Sequence, residues 1–233
     1  ITTLERTSMI VFGLFFFLCL ESGLPLFKMK YKKFGHGLIN LTFTIITLII
    51  NLIGAVGIMA AVQFNQSNHF GILHMLELPS WLYVLIGLLL MDLIGAWLIH
   101  WLEHSFEWMW RFHLIHHTDP NVDVTTGLRH HPGENILRLV FTILAILVTG
   151  ASFGLVMMYQ TNSVFFAHFT HANIKIPVYL DRLLSYILVT PNFHKVHHHY
   201  LQPHTDSNYG NIFSTWDYVF GTAKKMTRID NLI

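Results

Sequence analysis

The chain has 233 residues, of which 53% are hydrophobic and only 12% charged, and its formal net charge is +1. Soluble domains carry roughly 25% charged residues, so the composition points to a membrane protein of one large domain. The near-zero charge excludes the concentrated basic surface that a nucleic-acid partner requires, and the lone Cys19 excludes an intrachain disulfide and a cysteine-based zinc site.

The sequence opens at Ile1 instead of a methionine. Ser8 to Leu26 is almost wholly apolar and close to the ~20 residues that cross a bilayer, with Glu21, Gly23 and Pro25 expected to weaken its end. Lys28, Lys30, Lys32 and Lys33 follow, then a second apolar run from about Leu38 to Val62. By the positive-inside rule the lysine loop is cytoplasmic. Gln63 to Pro79 holds no Lys or Arg and is expected to be a loop or interfacial segment on the opposite side. The third run, Trp81 to about Leu102, then returns to the cytoplasm. Beyond the polar segment Glu103 to Glu134, two apolar arms, Ile136 to Thr149 and Ser152 to Ala172, meet near Gly150. They read either as two short spans or as a hairpin that penetrates partway. The remainder is polar and basic, with turn signals at Pro177, Pro191 and Pro203. On this topology every Lys and Arg except Arg6 falls on the cytoplasmic side. Residues 1–80 form an N-terminal transmembrane hairpin with its connecting segment, 81–223 the histidine-bearing unit and 224–233 a tail.

Of the 17 histidines, most cluster between His100 and His199. His100 and His104 are spaced i, i+4; His113, His116 and His117, and again His194, His197 and His198, are spaced i, i+3, i+4, so each set shares one side of a helix. His168 and His171 are spaced i, i+3 on the last apolar arm, and His171 is expected to emerge at the cytoplasmic surface; His168 reads either as a ligand or as a hydrogen-bonded core residue. His130 and His131, beside Pro132, are ligands or outer acceptors for one, and His199 adjoins the last box as a ligand or an outer neighbour. Asp92, an ionisable residue inside a span, reads either as a functional group or as a helix–helix hydrogen-bond partner. His36, His69, His74 and His204 stand apart and are expected at surfaces or interfaces. So many imidazoles exceed the four ligands of one zinc ion, which implies two metals. Imidazole suits zinc, copper, iron and nickel alike. A cytoplasmic mouth above an apolar bundle suits a redox metal that acts on an aliphatic lipid chain with O2 and electrons.

The ordered set HxxxH (His100, His104), HxxHH (His113, His116, His117) and TPxxHxxHH (Thr190 to His198) resembles the fatty acid hydroxylase and sterol desaturase superfamily of membrane di-iron enzymes. Trp110-Arg111-Phe112, Arg129 with His131-Pro132 and Glu134, His171-Ala172-Asn173, Asn208-Tyr209-Gly210-Asn211, Trp216-Asp217 and Phe220-Gly221-Thr222 are similar too. The resemblance implies an all-α integral membrane protein of about four transmembrane helices with a cytoplasmic His-rich helical cap, residues 81–223 being the catalytic domain. It implies His100, His104, His113, His116, His117, His171, His194, His197 and His198 as metal ligands, with His168, His131, His130, His199, Asn173 and Asp92 as further ligand or outer-sphere candidates. It also implies two Fe ions, although zinc is accepted by such a site, and O2 as co-substrate. The substrate is a lipid, and electrons come from a separate cytochrome b5-, ferredoxin- or reductase-type protein. The compact chain favours a bacterial inner membrane, or the endoplasmic reticulum in a eukaryote. Two other classes compete: a zinc metallohydrolase using His100, Glu103 and His104, and a non-enzymatic metal-binding or transport protein, whose ligands would lie near the bilayer midplane.

Overall fold

The computed structural model describes residues 2–225, which are helical with irregular connections; most of the expected 224–233 tail lies outside the described residues. Helix α1 (Thr3–Gly23) starts on a reciprocal cap in which the Thr2 hydroxyl accepts from the Glu5 N–H and the Glu5 carboxylate accepts from the Thr2 N–H. It runs through Glu21, which does not weaken the helix. The Glu21 carboxylate is buried, pairs with Lys33 at 2.6 Å and accepts the Val124 and Asn173 N–H groups at 3.1 Å. Helix α2 (Lys33–Asn68) continues six residues past the apolar run, so part of the expected loop is helical.

At the far end a short 3₁₀ turn (Ile72–Met75) packs on the turn at Gly150. Both glycines there are obligatory. Gly71 (φ 103°) and Gly150 (φ 75°) sit in the left-handed region, and a Cβ on Gly71 would lie 2.3 Å from the Gly150 nitrogen.

Helix α3 (Ser80–Asp92) passes through a π-helical stretch (Leu93–Leu98) into α4 (Ile99–Ser105), and α5 (Glu107–His117) follows at once. The π stretch has a consequence for the site. Eight residues of α-helix separate two side chains by about 80°, and the extra residue that a π turn absorbs brings them to about 20°. Asp92 and His100 thus meet the same C-terminal segment: Asp92 accepts the Ile212 and Phe213 N–H groups at 3.3 and 3.1 Å, and His100 bonds the Tyr209 carbonyl at 2.8 Å. Asp92 is therefore a structural partner. Asp92→Ala would strand two buried N–H groups at about 1–3 kcal/mol each, and a Tm drop measured in detergent checks this.

Helices α6 (Pro132–Thr149) and α7 (Phe153–His171) are each about 27–28 Å long at 1.5 Å per residue. Both fall just under the ~30 Å of a hydrocarbon core, the length of the expected short spans, and α6 begins four residues before the apolar run. Among the described residues, four segments are long and apolar enough to cross a membrane: Thr3–Gly23, Lys33–Met75, Ser80–Ser105 and Pro132–Thr149. α7 is enclosed by them: Val156 and Tyr159 join Met91, Ala145 and Ile146 in the main core, and Phe17 of α1 packs on Phe165 and Phe169. The outer faces of α1 and α2 carry exposed Phe12, Phe15, Ile45, Leu52 and Val56, as a lipid-facing surface requires.

The cap is completed by a 3₁₀ turn (Val124–Leu128), α8 (Val178–Leu184), α9 (Pro191–His197) and α10 (Thr215–Val219). Asp217 organises its end, accepting from the Tyr209 and Gly210 N–H groups, the Thr222 hydroxyl and the Trp97 indole. His36 is not a free surface residue: its ring bridges Asp119 (2.8 Å) and Asp123 (3.2 Å), tying α2 to the cap.

Candidate metal centre

Three local features aim the imidazoles. Thr190-Pro191 is a helix start, the Thr190 hydroxyl accepting the Phe193 N–H and Pro191 filling the first helical position. Helix α9 then presents His194 and His197, with His198 at its C-cap. The tight α4–α5 corner at Phe106 folds His113 and His117 back over His100 and His104, and the end of α7 supplies His171.

These side chains form two adjoining groups, in each of which the ligand atoms lie within 4.8 Å of one another. The first contains His100, His104, His113, His117 and His197; the second contains His116, His171, His194 and His198. Each HxxHH box is shared between them. His113 and His117 enter the first group and His116 the second, whereas His194 and His198 enter the second and His197 the first. The reason is rotational: residues i and i+4 differ by about 40°, but i+3 lies about 60° to the other side. The rings of His113 and His116 are 5.2 Å apart, as are those of His194 and His197, so the groups are contiguous.

In six of the nine rings the Nδ1 atom is committed to an oxygen. His100 bonds the Tyr209 carbonyl (2.8 Å), His197 the Ser207 carbonyl (2.7 Å), His171 the Ala167 carbonyl (2.7 Å), His116 the Arg129 carbonyl (3.3 Å), His113 the Glu134 carboxylate (2.9 Å) and His104 the Asp206 carboxylate (3.3 Å). A ring that donates from Nδ1 keeps its lone pair on Nε2. Two pairs of those Nε2 atoms converge, His100 with His113 and His116 with His171, each at 3.0 Å; the Nε2 atoms of His117 (3.2 Å from His113) and His194 (3.0 Å from His171) close on the same points. Two acceptor lone pairs at that distance repel unless a cation or proton lies between them. Nitrogens about 2.1 Å from a shared ion and 90–110° apart are separated by about 3.0–3.4 Å, which matches. The Nε2 atoms of His104 and His197 and both nitrogens of His198 are buried without a hydrogen-bond partner, which suits atoms that ligate a cation. The residues fit two cations.

Burial keeps the cap imidazoles neutral, the form that ligates. It pulls His113 down to about 3 despite the adjacent Glu134 carboxylate, and holds His116, His117, His194, His197 and His198 well below the ordinary histidine value. Beneath the first group, Glu134 accepts from His113, from His130 (2.7 Å) and from Arg138 (3.0 Å), and Arg138 also bonds Glu103 at 2.6 Å.

The remaining candidates take other places. His171 does not emerge at the surface but is buried within the second group. His130 lies outside both groups and stacks on His116 with ring centroids 4.8 Å apart. His131 caps α6, accepting the Gly133 N–H, and His199 accepts the Leu201 N–H. Asn173 clamps the lysine loop by accepting the Phe27 N–H and donating to its carbonyl. Lys195, within the last box, is buried and donates to the Val122 and His171 carbonyls; burial lowers its pKa to about 8. His168 is 1% exposed, and neither ring nitrogen has a hydrogen-bond partner. It belongs to neither group, so His168→Leu is expected to leave metal content unchanged and Tm unchanged or raised, since an unsatisfied buried polar group is removed. Metal analysis and a thermal melt check both.

Sequence reasoning did not find Arg138 or the carbonyls of Ser207 and Tyr209. Arg138 sits four residues after Glu134, a signal open to inspection, but a backbone carbonyl has no side-chain signature.

The sequence profile of the fatty acid hydroxylase family matches residues 84–222. Over 144 residues the chain is 26% identical to the ornithine lipid hydroxylase OlsE of Rhizobium tropici, covering 62% of this chain and 42% of that one. It is 29% identical over 155 residues to the alkylglycerol monooxygenase of Danio rerio (64% and 32% of the two chains). It is also 29% identical over 140 residues to the very-long-chain aldehyde decarbonylase GL1-6 of Oryza sativa subsp. indica (55% and 21%). The chain therefore spans less than half the length of these relatives. No solved structure matches. The matched segment, from α3 to the end of the cap, contains every histidine of the two groups, and on that coincidence of profile and geometry the chain belongs to the fatty acid hydroxylase family.

Proposed function

We propose that this chain is an O2-dependent lipid hydroxylase or desaturase in which the two imidazole groups hold two iron ions. The observation that carries the reading is one close Nε2 pair in each group, His100 with His113 and His116 with His171, whose Nδ1 partners are already fixed. His100, His104, His113, His117 and His197 would hold one ion, and His116, His171, His194 and His198 the other. Bound iron supplies the O2 activation that attacks an unreactive C–H bond, chemistry no side chain here provides. The chain's own part is to keep nine imidazoles neutral, to orient six of them through Tyr209, Ser207, Arg129, Ala167, Glu134 and Asp206, and to bury them away from water. The relatives named above act on an ornithine lipid, alkylglycerols or very-long-chain aldehydes by their names, which supports a long-chain lipid as substrate. Electrons would come from a cytochrome b5-, ferredoxin- or reductase-type protein. The positive-inside rule puts the lysine loop, and with it the metal centre, on the cytoplasmic side of a multi-pass membrane protein.

The hydrolase alternative needs Glu103 available as a base, but its carboxylate is buried against Arg138, and the second histidine group would have no role. The transport alternative needs ligands near the midplane, whereas these groups sit at helix ends. Turnover of the lipid identified by comparing lipids of cells with and without the gene is expected to require both O2 and a reductant. A hydroxylated product should carry oxygen from labelled O2. Turnover under strict anaerobiosis would overturn the reading.

A further inference from the structure

The cap has an apolar surface that the metal centre does not use. Within residues 178–187, Val178, Tyr179, Leu180, Leu183, Tyr186 and Ile187 are all exposed, Tyr179 by 75% and Leu183 by 67%. The stretch is held at both ends and bare between them. On one side Ile174 bridges Pro25 and Ile176 packs against the core around Phe17; on the other Leu188 bridges Phe213 and packs against the main core. The exposed side chains are thus presented by a fixed scaffold.

Its place in the fold says what covers it. The bridge joins residue 174 to residue 25, with the Lys175 N–H on the Leu24 carbonyl at 2.9 Å, two residues past the end of α1. Four residues reach at most about 14 Å, so α8 begins close to the level at which α1 leaves the hydrocarbon. Basic side chains rim the apolar patch: Lys175 and Arg182 are exposed, and the Lys225 ammonium lies 3.8 Å above the Tyr186 ring. Exposed Lys28, Lys30 and Lys32 continue that rim on the other strand of the bridge. Apolar residues flanked by tyrosines and cations are the composition of a segment that lies in the bilayer interface and contacts anionic headgroups.

We propose that residues 178–187 are an interfacial membrane anchor, bedded in the cytoplasmic-side leaflet beside α1. The occupant of the patch is lipid. Because α9 begins three residues after Leu188, this anchor fixes the height and tilt of the helix that carries His194, His197 and His198. The inference is independent of which metal the groups hold.

The test uses the full chain with Cys19→Ser, single cysteines at Tyr179→Cys and Leu183→Cys, and Gln202→Cys as an exposed cap control. Each is labelled with an environment-sensitive dye and reconstituted, one chain per disc, into nanodiscs of phosphatidylcholine and phosphatidylglycerol. Spin-labelled lipid is expected to quench the dyes at 179 and 183 at least about threefold more than the dye at 202, and aqueous iodide to show the reverse order. Equal iodide access at all three positions overturns the proposal. So does protection that appears only when two chains share a disc, which would assign the patch to a second copy. Should Leu183→Cys fail to fold, Ile187→Cys, also exposed, carries the same comparison.

Discussion

His194→Ala is expected to lower the metal content of the purified protein from about two ions per chain to about one, with activity reduced by more than about 100-fold, the upper end of what loss of an outer acceptor alone costs. The substitution leaves three ligands in the second group and all five in the first. His197→Ala, three residues along the same helix, should behave differently. It leaves four ligands in the first group, enough for a tetrahedral ion, so that ion is weakened and lost to a chelator earlier than in the parent, while the second group is untouched. Metal analysis across a chelator titration separates the two variants. Retention of both ions in both variants, or simultaneous loss of both ions in each, would show that the boxes do not divide as the structure divides them.

Glu134→Ala should cost both stability and metal. Arg138 and His113 lose a buried acceptor at 3.0 and 2.9 Å, and breaking a buried ion pair from one side costs about 3–5 kcal/mol, a Tm fall on the order of 10 °C for a chain of this size. Without its Nδ1 acceptor, His113 is no longer held in the tautomer that ligates, and affinity in the first group should drop by about 10–100-fold. The two losses are separable. Adding Arg138→Met together with Glu103→Leu removes the remaining buried ion pair from both sides and should restore much of the Tm, yet leave metal affinity low. Recovery of both would mean that Glu134 matters only to the fold, and the role in orienting His113 would be withdrawn.

The ease of reading each element followed the range of the interactions behind it. The HxxHH spacing, the Thr190-Pro191 helix start and the apolar runs depend on helix period, capping and hydropathy, all settled within a few residues, and each appears in the structure as a helix. Glu21 departs from expectation because its effect as a charge in an apolar run is local, whereas its partners Lys33, Val124 and Asn173 are supplied by three other parts of the chain. The structural role of Asp92 rests on Ile212 and Phe213, 120 and 121 residues further along, whose N–H groups it accepts. The residues after Asn173 read as uniformly polar and basic on average, but folding gathers six apolar side chains onto one exposed surface.

By itself, then, the amino-acid order determined that the protein is helical and membrane-embedded and which histidines are available in pairs and triplets, because periodicity and composition are properties of short segments. Helix rotation splits each box, but tertiary structure alone decided which histidines from different segments meet in each of the two groups. That meeting depends on the α4–α5 corner, the π turn before His100 and the arrival of α9 from far along the chain. It also decided which ring nitrogen each histidine offers, since the acceptors that settle this are mostly backbone carbonyls, chemically identical at every residue and distinguished only by where the fold puts them.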